Sequence, residues 1–219
     1  MSPPAAAPAA EAGPPPRVKI CGLTRLEDAL AAARLGADAL GFNFWPGSRR
    51  YLAPAAAREI IRALPPLVTT VGVFVDPTRD EAMAAAAVSG VQVLQLHGDE
   101  PPEACARLPL PVLKAIRVRG PESLALLERY AGAVSGFLLD ADSAGYGGSG
   151  RTFDWTLAAR AAARAPVVLA GGLDPGNVAE AVRAVRPWGV DVASGVEAAP
   201  GVKDHDLMAR FVRAAKERA

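Results

Sequence analysis

The chain has 219 residues, of which 51% are hydrophobic and 21% are charged, and this balance excludes an intrinsically disordered protein. Its length fits one domain with a sizeable core. The formal net charge of +1 argues against a protein built around nucleic acid or an anionic membrane. No apolar stretch is long enough to span a membrane, and we expect the protein to be cytoplasmic.

The chain begins with MSPPAAAPAAEAGPPP, which is mostly proline and alanine. This stretch lacks the basic start and the run of large apolar side chains that mark a signal peptide. We predict a disordered extension over residues 1–16 and one catalytic domain over residues 17–219. The two cysteines, Cys21 and Cys105, form neither a disulfide framework nor a zinc-ligand pattern, so the residues indicate no bound metal.

Short apolar runs alternate along the chain with stretches rich in Ala, Leu and Arg that have helical periodicity. Eight strands that alternate with helices predict a parallel sheet, and its closed form is a single (β/α)8 TIM barrel. A doubly wound open sheet is the alternative, but no predicted strand leads into a GxGxxG turn. The predicted strands cover residues 18–22, 39–44, 69–75, 91–97, 112–118, 136–140, 166–172 and 190–195, and predicted helices cover residues 25–37, 54–64, 81–90 and 175–185.

A TIM barrel places its active site at the carboxyl ends of its strands. The residues predicted there are too polar for a closed core, and the last two strands end in glycine-containing turns. Such turns often bind phosphate through backbone N–H groups. The strand-end residues are Cys21, Asn43, Val75, His97, Arg117, Asp140, Gly171, Gly172, Ser194 and Gly195.

The alternation of side chains along a strand identifies the neighbours of these residues inside the barrel. Lys19 shares the face of Cys21, and Gln95 shares the face of His97. Lys19 on the first strand and Asp191 on the eighth become neighbours when the barrel closes, and we expect them to form a buried ion pair. We also expect Lys19 to favour the thiolate of Cys21. The residues alone leave open whether Cys21 is a base or a small hydrophobic side chain in the core.

Several segments together resemble the phosphoribosylanthranilate isomerase family of tryptophan biosynthesis. They occur in the order of the family and cover nearly everything from Val18 to Ala215, and the Pro/Ala extension lies outside the resemblance. The segments are VKICGLT, ALGFNFWPGSRRY, VGVFVD, LQLHGDE, LLDADSAGYGGSGRTFDW, AGGLDPGNV and VDVASGVEAAPGVKDH.

The resemblance implies a (β/α)8 barrel that works without a metal or an organic cofactor. Its activity would convert N-(5'-phosphoribosyl)anthranilate to the 1-deoxyribulose 5-phosphate derivative, an Amadori rearrangement. It implies that Cys21 is the general base, that Asp140 is the general acid, and that Arg50 lies over the anthranilate. A proton on the ring oxygen opens the ribose to an iminium, and a base then removes the proton at C2 to give an enolamine.

We further predict which residues bind the substrate. Glycine lets the main chain approach an anion closely, so the turns of the last two strands are expected to bind the phosphate. We assign His97 a wall or hydrogen-bonding role and Asp191 a supporting role, and the Gly-rich residues 145–155 a loop that closes over the sugar phosphate. The predicted phosphate-binding residues are Gly171, Gly172, Ser194 and Gly195.

Two other functions remain open at this point. A barrel that binds a phosphosugar without turnover would be expected to lack Cys21 or Asp140, and both are present. A dual isomerase that also acts on the aminoimidazole ribotide of histidine biosynthesis would need a second phosphate site opposite the first. The chain shows one glycine-rich pair of turns, which favours a single small sugar-phosphate substrate. The roles of Asn43 and Arg117, and the choice between a monomer and a homodimer, stay open.

Overall fold

The computed structural model describes residues 14–141 and 155–217, and these residues form a closed barrel of eight strands. The strands are β1 (Arg17–Ile20), β2 (Ala39–Asn43), β3 (Thr69–Phe74), β4 (Val93–Leu96), β5 (Val112–Val118), β6 (Gly136–Ala141), β7 (Val167–Ala170) and β8 (Gly189–Val192). Each strand pairs in parallel with the next one, and β8 pairs with β1 to close the barrel. The predicted TIM barrel is confirmed, and the open doubly wound sheet is wrong.

Eight helices surround the strands in the part of the chain that is described. They are α1 (Leu26–Arg34), α2 (Pro54–Arg62), α3 (Arg79–Ser89), α4 (Pro102–Ala106), α5 (Ser123–Arg129), α6 (Trp155–Ala162), α7 (Val178–Val185) and α8 (His205–Lys216). Gly36 follows α1 with a φ of +91°, a left-handed conformation that lets the chain leave the helix. Thr78 and Glu81 form a capping box at the start of α3. None of these helices is long and apolar enough to cross a membrane.

One small element was not predicted from the sequence. A hairpin of β9 (Glu197–Ala199) and β10 (Val202–Lys203) follows β8 and lies outside the barrel sheet. The predicted extension over residues 1–16 stays a prediction, because residues 1–13 lie outside the described residues. The same holds for residues 145–154 of the predicted closing loop.

The strands carry apolar side chains on both faces, as expected for a parallel sheet covered by helices. Phe42, Leu94 and Leu169 are completely buried in the large core between the sheet and the helices. A second, smaller cluster fills part of the barrel interior and includes Leu138 and Val168. Further inward positions are polar, and the fold therefore delivers polar side chains to the carboxyl-terminal mouth of the barrel.

A buried ion pair holds the turns after β3 and β4. The Lys114 ammonium lies 2.9 Å from Glu100 Oε2, and both side chains are almost fully buried. Glu100 Oε1 accepts hydrogen bonds from the backbone N–H groups of Asp76 at 2.9 Å and Gly98 at 3.1 Å. A buried carboxylate needs such partners, so this cluster fixes the rim of the barrel immediately after His97.

A cavity of about 620 Å³ opens at the amino-terminal end of the barrel. Arg17, Thr69 and Gly189, at the beginnings of their strands, line it together with the exposed side chains of Leu67 and Trp188. TIM barrels place their active sites at the opposite end, so this cavity opens away from the candidate active site, and Lys19 is among the residues that line it.

Candidate active site

Cys21 immediately follows β1 and is held at the carboxyl-terminal mouth. Its backbone N–H donates to the carbonyl of Val192 at 2.8 Å, and its side chain is buried. Gly41 on β2 makes room for this side chain, because a Cβ there would lie 2.8 Å from Cys21 Sγ and 3.2 Å from Lys19 Cε. Gly41 is not among the predicted site residues, although a glycine within a strand often marks such a close approach.

The expected ion pair forms between Lys19 and Asp191. The two residues are register partners on β1 and β8, and Lys19 Nζ lies 2.8 Å from Asp191 Oδ1. Burial by itself lowers the pKa of Lys19, but the negative charges of Asp191 and Cys21 outweigh burial and raise the pKa above the ordinary lysine value. Lys19 therefore keeps its positive charge beside Cys21.

Burial dominates the acidity of the Cys21 thiol. It raises the pKa of Cys21, and the negative charge of Asp191 adds to this, whereas the positive charges of Lys19 and Lys203 lower the pKa only in part. Lys19 thus acts in the predicted direction without bringing the pKa below its ordinary value. The fraction of thiolate is small at neutral pH and increases as the pH rises.

Arg50 belongs to a charged network that the sequence analysis did not foresee. Its Nε and Nη2 atoms donate to the two carboxylate oxygens of Glu197 at 2.7 and 2.6 Å. Lys203 Nζ lies 2.9 Å from Glu197 Oε1, and Gly201 N–H donates to the same oxygen at 3.2 Å. Such a two-point contact fixes the plane of the guanidinium. The neighbouring Arg49 is exposed.

The charges of this network compensate one another. Burial alone raises the pKa of Glu197, but the hydrogen bonds from Arg50 and Lys203 outweigh it and lower the pKa. Burial lowers the pKa of Lys203, and the attraction of Glu197 and Cys21 opposes that shift only partly. Glu197 and Lys203 are on the hairpin, which therefore supports the surroundings of Cys21.

Asp140 near the end of β6 lies beside His97 from the end of β4. His97 Nε2 is 3.2 Å from Asp140 Oδ2, and His97 Nδ1 is 3.2 Å from Gln95 Nε2. The Asp140 side chain is 31% exposed, so a bound molecule can reach it. Arg117 is the register partner of Asp140 and is exposed, whereas Asn43 accepts a hydrogen bond from the backbone of Trp45 at 2.9 Å.

The turns after β7 and β8 contain the residues predicted to bind phosphate. Gly171 and Gly172 have φ values of +82° and +68°, which glycine adopts readily. Their N–H groups donate to no other group among the described residues. A Cβ at Gly195 would overlap the carbonyl oxygen of Leu173, so the two turns touch and only glycine fits there. Ser194 begins a short 3₁₀ turn beside them.

The predicted site residues thus lie in three groups around one mouth. The first surrounds Cys21, the second contains Asp140 and His97, and the third consists of the two glycine turns. No cluster of three or more His, Cys, Asp or Glu side chains that could hold a metal occurs among the described residues. A thiol, a carboxyl group and an anion-binding turn on a TIM barrel are typical of enzymes that move protons on phosphorylated substrates.

Comparison with known proteins agrees with this class. The family model for N-(5'-phosphoribosyl)anthranilate (PRA) isomerase matches residues 18–214. The N-(5'-phosphoribosyl)anthranilate isomerase of Myxococcus xanthus (strain DK1622) is 55% identical over 203 residues, which are 91% of this chain and 96% of the relative. The chain belongs to the phosphoribosylanthranilate isomerase family, as its resemblance predicted, and it is an isomerase.

Solved structures show the same relationship. The crystal structure of phosphoribosylanthranilate isomerase from Thermotoga maritima superimposes with a TM-score of 0.84 at 45% identity, covering 92% of this chain and 98% of the other. Another phosphoribosylanthranilate isomerase was solved in complex with reduced 1-(o-carboxyphenylamino)-1-deoxyribulose 5-phosphate. It has a TM-score of 0.81 and 43% identity, with coverage of 92% and 98%.

The charge balance around Cys21 leads to a prediction for thiol reactivity. In a Cys105→Ala background, Lys19→Met removes the charge that favours the thiolate and raises the pKa of Cys21 further. Alkylation by iodoacetamide at pH 8 should slow by about tenfold, as one unit of pKa would give. Rates measured from pH 6 to pH 10 would test this.

Lys19→Met alone removes the cationic partner of the buried Asp191 carboxylate. The double variant Lys19→Met with Asp191→Asn is the control for this effect. It should react at a rate between the other two proteins, because Asp191 itself raises the pKa of the thiol. Equal alkylation rates in all three proteins would contradict the electrostatic account.

Proposed function

We propose that this chain isomerises N-(5'-phosphoribosyl)anthranilate to 1-(2-carboxyphenylamino)-1-deoxyribulose 5-phosphate, with Cys21 as general base and Asp140 as general acid. This is an Amadori rearrangement of tryptophan biosynthesis. One observation carries the assignment of roles: a thiol surrounded by cations and a partly exposed carboxyl group lie at separate strand ends of the same mouth. An acid and a base so placed act on different atoms of one substrate.

The acid step begins the reaction. Asp140 donates a proton to the furanose ring oxygen, the C1–O bond breaks, and the nitrogen lone pair forms the iminium at C1. His97 is in hydrogen-bond contact with Asp140 Oδ2 and orients the carboxyl group. It also forms part of the wall of the site.

The base step follows at C2 of the sugar. The Cys21 thiolate removes the C2 proton, and the electron pair moves into the iminium to give an enolamine, which tautomerises to the ketose. Lys19 remains protonated and stabilises the thiolate, whereas Asp191 holds Lys19 in place. Because burial raises the pKa of the thiol, the active fraction of the base increases with pH.

The remaining predicted residues are proposed to bind the two ends of the substrate. The free N–H groups of Gly171 and Gly172, together with Ser194 and Gly195, receive the phosphate. Arg50 lies over the anthranilate, where Glu197 keeps its guanidinium in one orientation. A fixed, planar cation is suited to stacking on an aromatic ring.

The proposed roles of Cys21 and Asp140 predict large losses of turnover. Cys21→Ala and Asp140→Asn should each lower kcat by at least about 100-fold, since each removes a proton-transfer group. The measurement follows the loss of phosphoribosylanthranilate fluorescence, with the substrate formed in situ. Circular dichroism and thermal unfolding establish that both variants are folded.

The result separates an enzyme from a barrel that only binds. A near-normal kcat in either variant removes that residue from its role. A folded wild-type protein that shows no turnover, yet is stabilised against heat by the product, would favour phosphosugar binding without catalysis.

The phosphate assignment can be tested with a matched pair of glycines. Gly172 and Gly132 both have positive φ values, and a Cβ at either one meets no other atom within 4 Å. Gly172→Ala and Gly132→Ala should therefore lose similar stability, but Gly172→Ala alone should raise KM by about tenfold through a disturbed anion contact. Equal KM values for the two variants would reject the phosphate assignment.

The opposite side of the mouth argues for a single substrate. In an eight-stranded barrel, β3 and β4 face β7 and β8, so a second phosphate would lie at the turns after β3 and β4. Glu100 already accepts the N–H groups of Asp76 and Gly98 there, and the acidic side chains of Asp76 and Asp99 repel an anion.

We accordingly expect no turnover of the aminoimidazole ribotide substrate of histidine biosynthesis. The wild-type protein would be incubated with each substrate under the same conditions, and kcat/KM would be compared. Comparable values for the two substrates would show that the enzyme has dual specificity and that the turns after β3 and β4 admit a phosphate.

A further inference from the structure

Gln95 is a buried polar residue to which neither the sequence analysis nor the proposed reaction gives a role. It lies on β4, points to the inside of the barrel with His97, and is 1% exposed. Its Nε2 atom contacts His97 Nδ1 at 3.2 Å, and its Oε1 atom has no hydrogen-bond partner among the described residues. A buried amide with an unpaired oxygen destabilises the folded protein. A functional reason for keeping Gln95 is therefore sought in its contact with His97.

The chemistry of the amide determines the state of the imidazole. With its Nε2 group towards the ring, Gln95 only donates a hydrogen bond, so in this orientation His97 Nδ1 accepts one and carries no proton. The neutral ring then has its proton on Nε2, which is the atom that faces Asp140 Oδ2 at 3.2 Å. Gln95, His97 and Asp140 thus form a directed chain that ends at the proposed acid.

We propose that Gln95 is a positioning residue that fixes the Nε2–H tautomer of His97 and thereby directs the acid proton of Asp140. Because Oδ2 accepts the hydrogen bond from His97, the proton of the carboxyl group is on Oδ1. It passes from Oδ1 to the ring oxygen of the substrate, and the carboxylate that forms keeps the hydrogen bond from His97. This inference rests on the proposed function of Asp140.

The reversed amide orientation would have the opposite effect. With Gln95 Oε1 towards the ring, His97 would carry its proton on Nδ1, and its Nε2 lone pair would accept a hydrogen bond from protonated Asp140. The acid proton would then point away from the substrate. The two arrangements contain the same side chains and differ in the tautomer of His97. Observing this tautomer therefore distinguishes them.

The tautomer can be read directly, since the chain has two histidines. In protein labelled with ¹⁵N in the imidazole ring, long-range proton–nitrogen spectra distinguish Nδ1–H from Nε2–H, and a His205→Gln variant identifies the His97 signals. We expect an unprotonated Nδ1 and a protonated Nε2 in the wild-type protein. A protonated Nδ1 with a bare Nε2 would overturn the proposal.

Two substitutions at Gln95 connect the tautomer with turnover. Gln95→Leu removes the donor, whereas Gln95→Glu keeps the shape and, when ionised, offers only acceptors and draws the ring proton to Nδ1. Each should lower kcat by about tenfold, the effect of one lost hydrogen bond, and leave KM nearly unchanged. Gln95→Leu should add little to the loss already caused by His97→Ala, because Gln95 acts through His97.

Gln92→Leu is the matched control, because it removes the same kind of side chain just before the same strand. Gln92 accepts a hydrogen bond from the backbone of Thr70 at 3.0 Å, far from the mouth. Its loss should affect stability but neither kcat nor the His97 signals.

The outcomes separate this inference from the proposed function. A Gln95→Glu protein with reversed tautomer and wild-type kcat would overturn the inference alone. A wild-type protein without isomerase activity would overturn the proposed function, and with it the catalytic part of the inference.

Discussion

The ion pair between Lys19 and Asp191 is the interaction on which the site depends. It joins the first and last strands of the barrel and lies directly beside the Cys21 thiol. Neither charge could be buried alone, so each requires the other, and both require the closed sheet. The same pair that joins β1 to β8 therefore supplies a positive charge beside the Cys21 thiol, the proposed base.

The surroundings of Cys21 act in opposite directions on its thiol, the proposed base. Burial disfavours the thiolate, whereas Lys19 and Lys203 favour it, and Glu197 offsets one of the two positive charges of Arg50 and Lys203. On the other side of the mouth, Asp140 is more exposed and contacts His97 rather than a lysine or an arginine among the described residues.

The barrel and the polar residues on its strands could be predicted from the sequence, because alternation along a strand determines the face of each side chain. Lys19, Cys21 and Asp191 follow this rule. Glu197 and Lys203 do not, since they belong to a short hairpin without a periodic pattern. The Glu100–Lys114 pair was missed for a related reason, as it forms between a loop and a strand face that otherwise contacts the helices.

The pairing of β1 with β8 also determines when the site is assembled during folding. Lys19 and Asp191 are 172 residues apart, and Glu197 and Lys203 come even later in the chain. Contacts of such long range form late, because the loop that they close is large. Cys21 and Lys19 are made near the beginning of the chain, but Asp191, Glu197 and Lys203 arrive only with the final strand and hairpin. The charged surroundings of the Cys21 thiol are therefore complete only when the barrel closes.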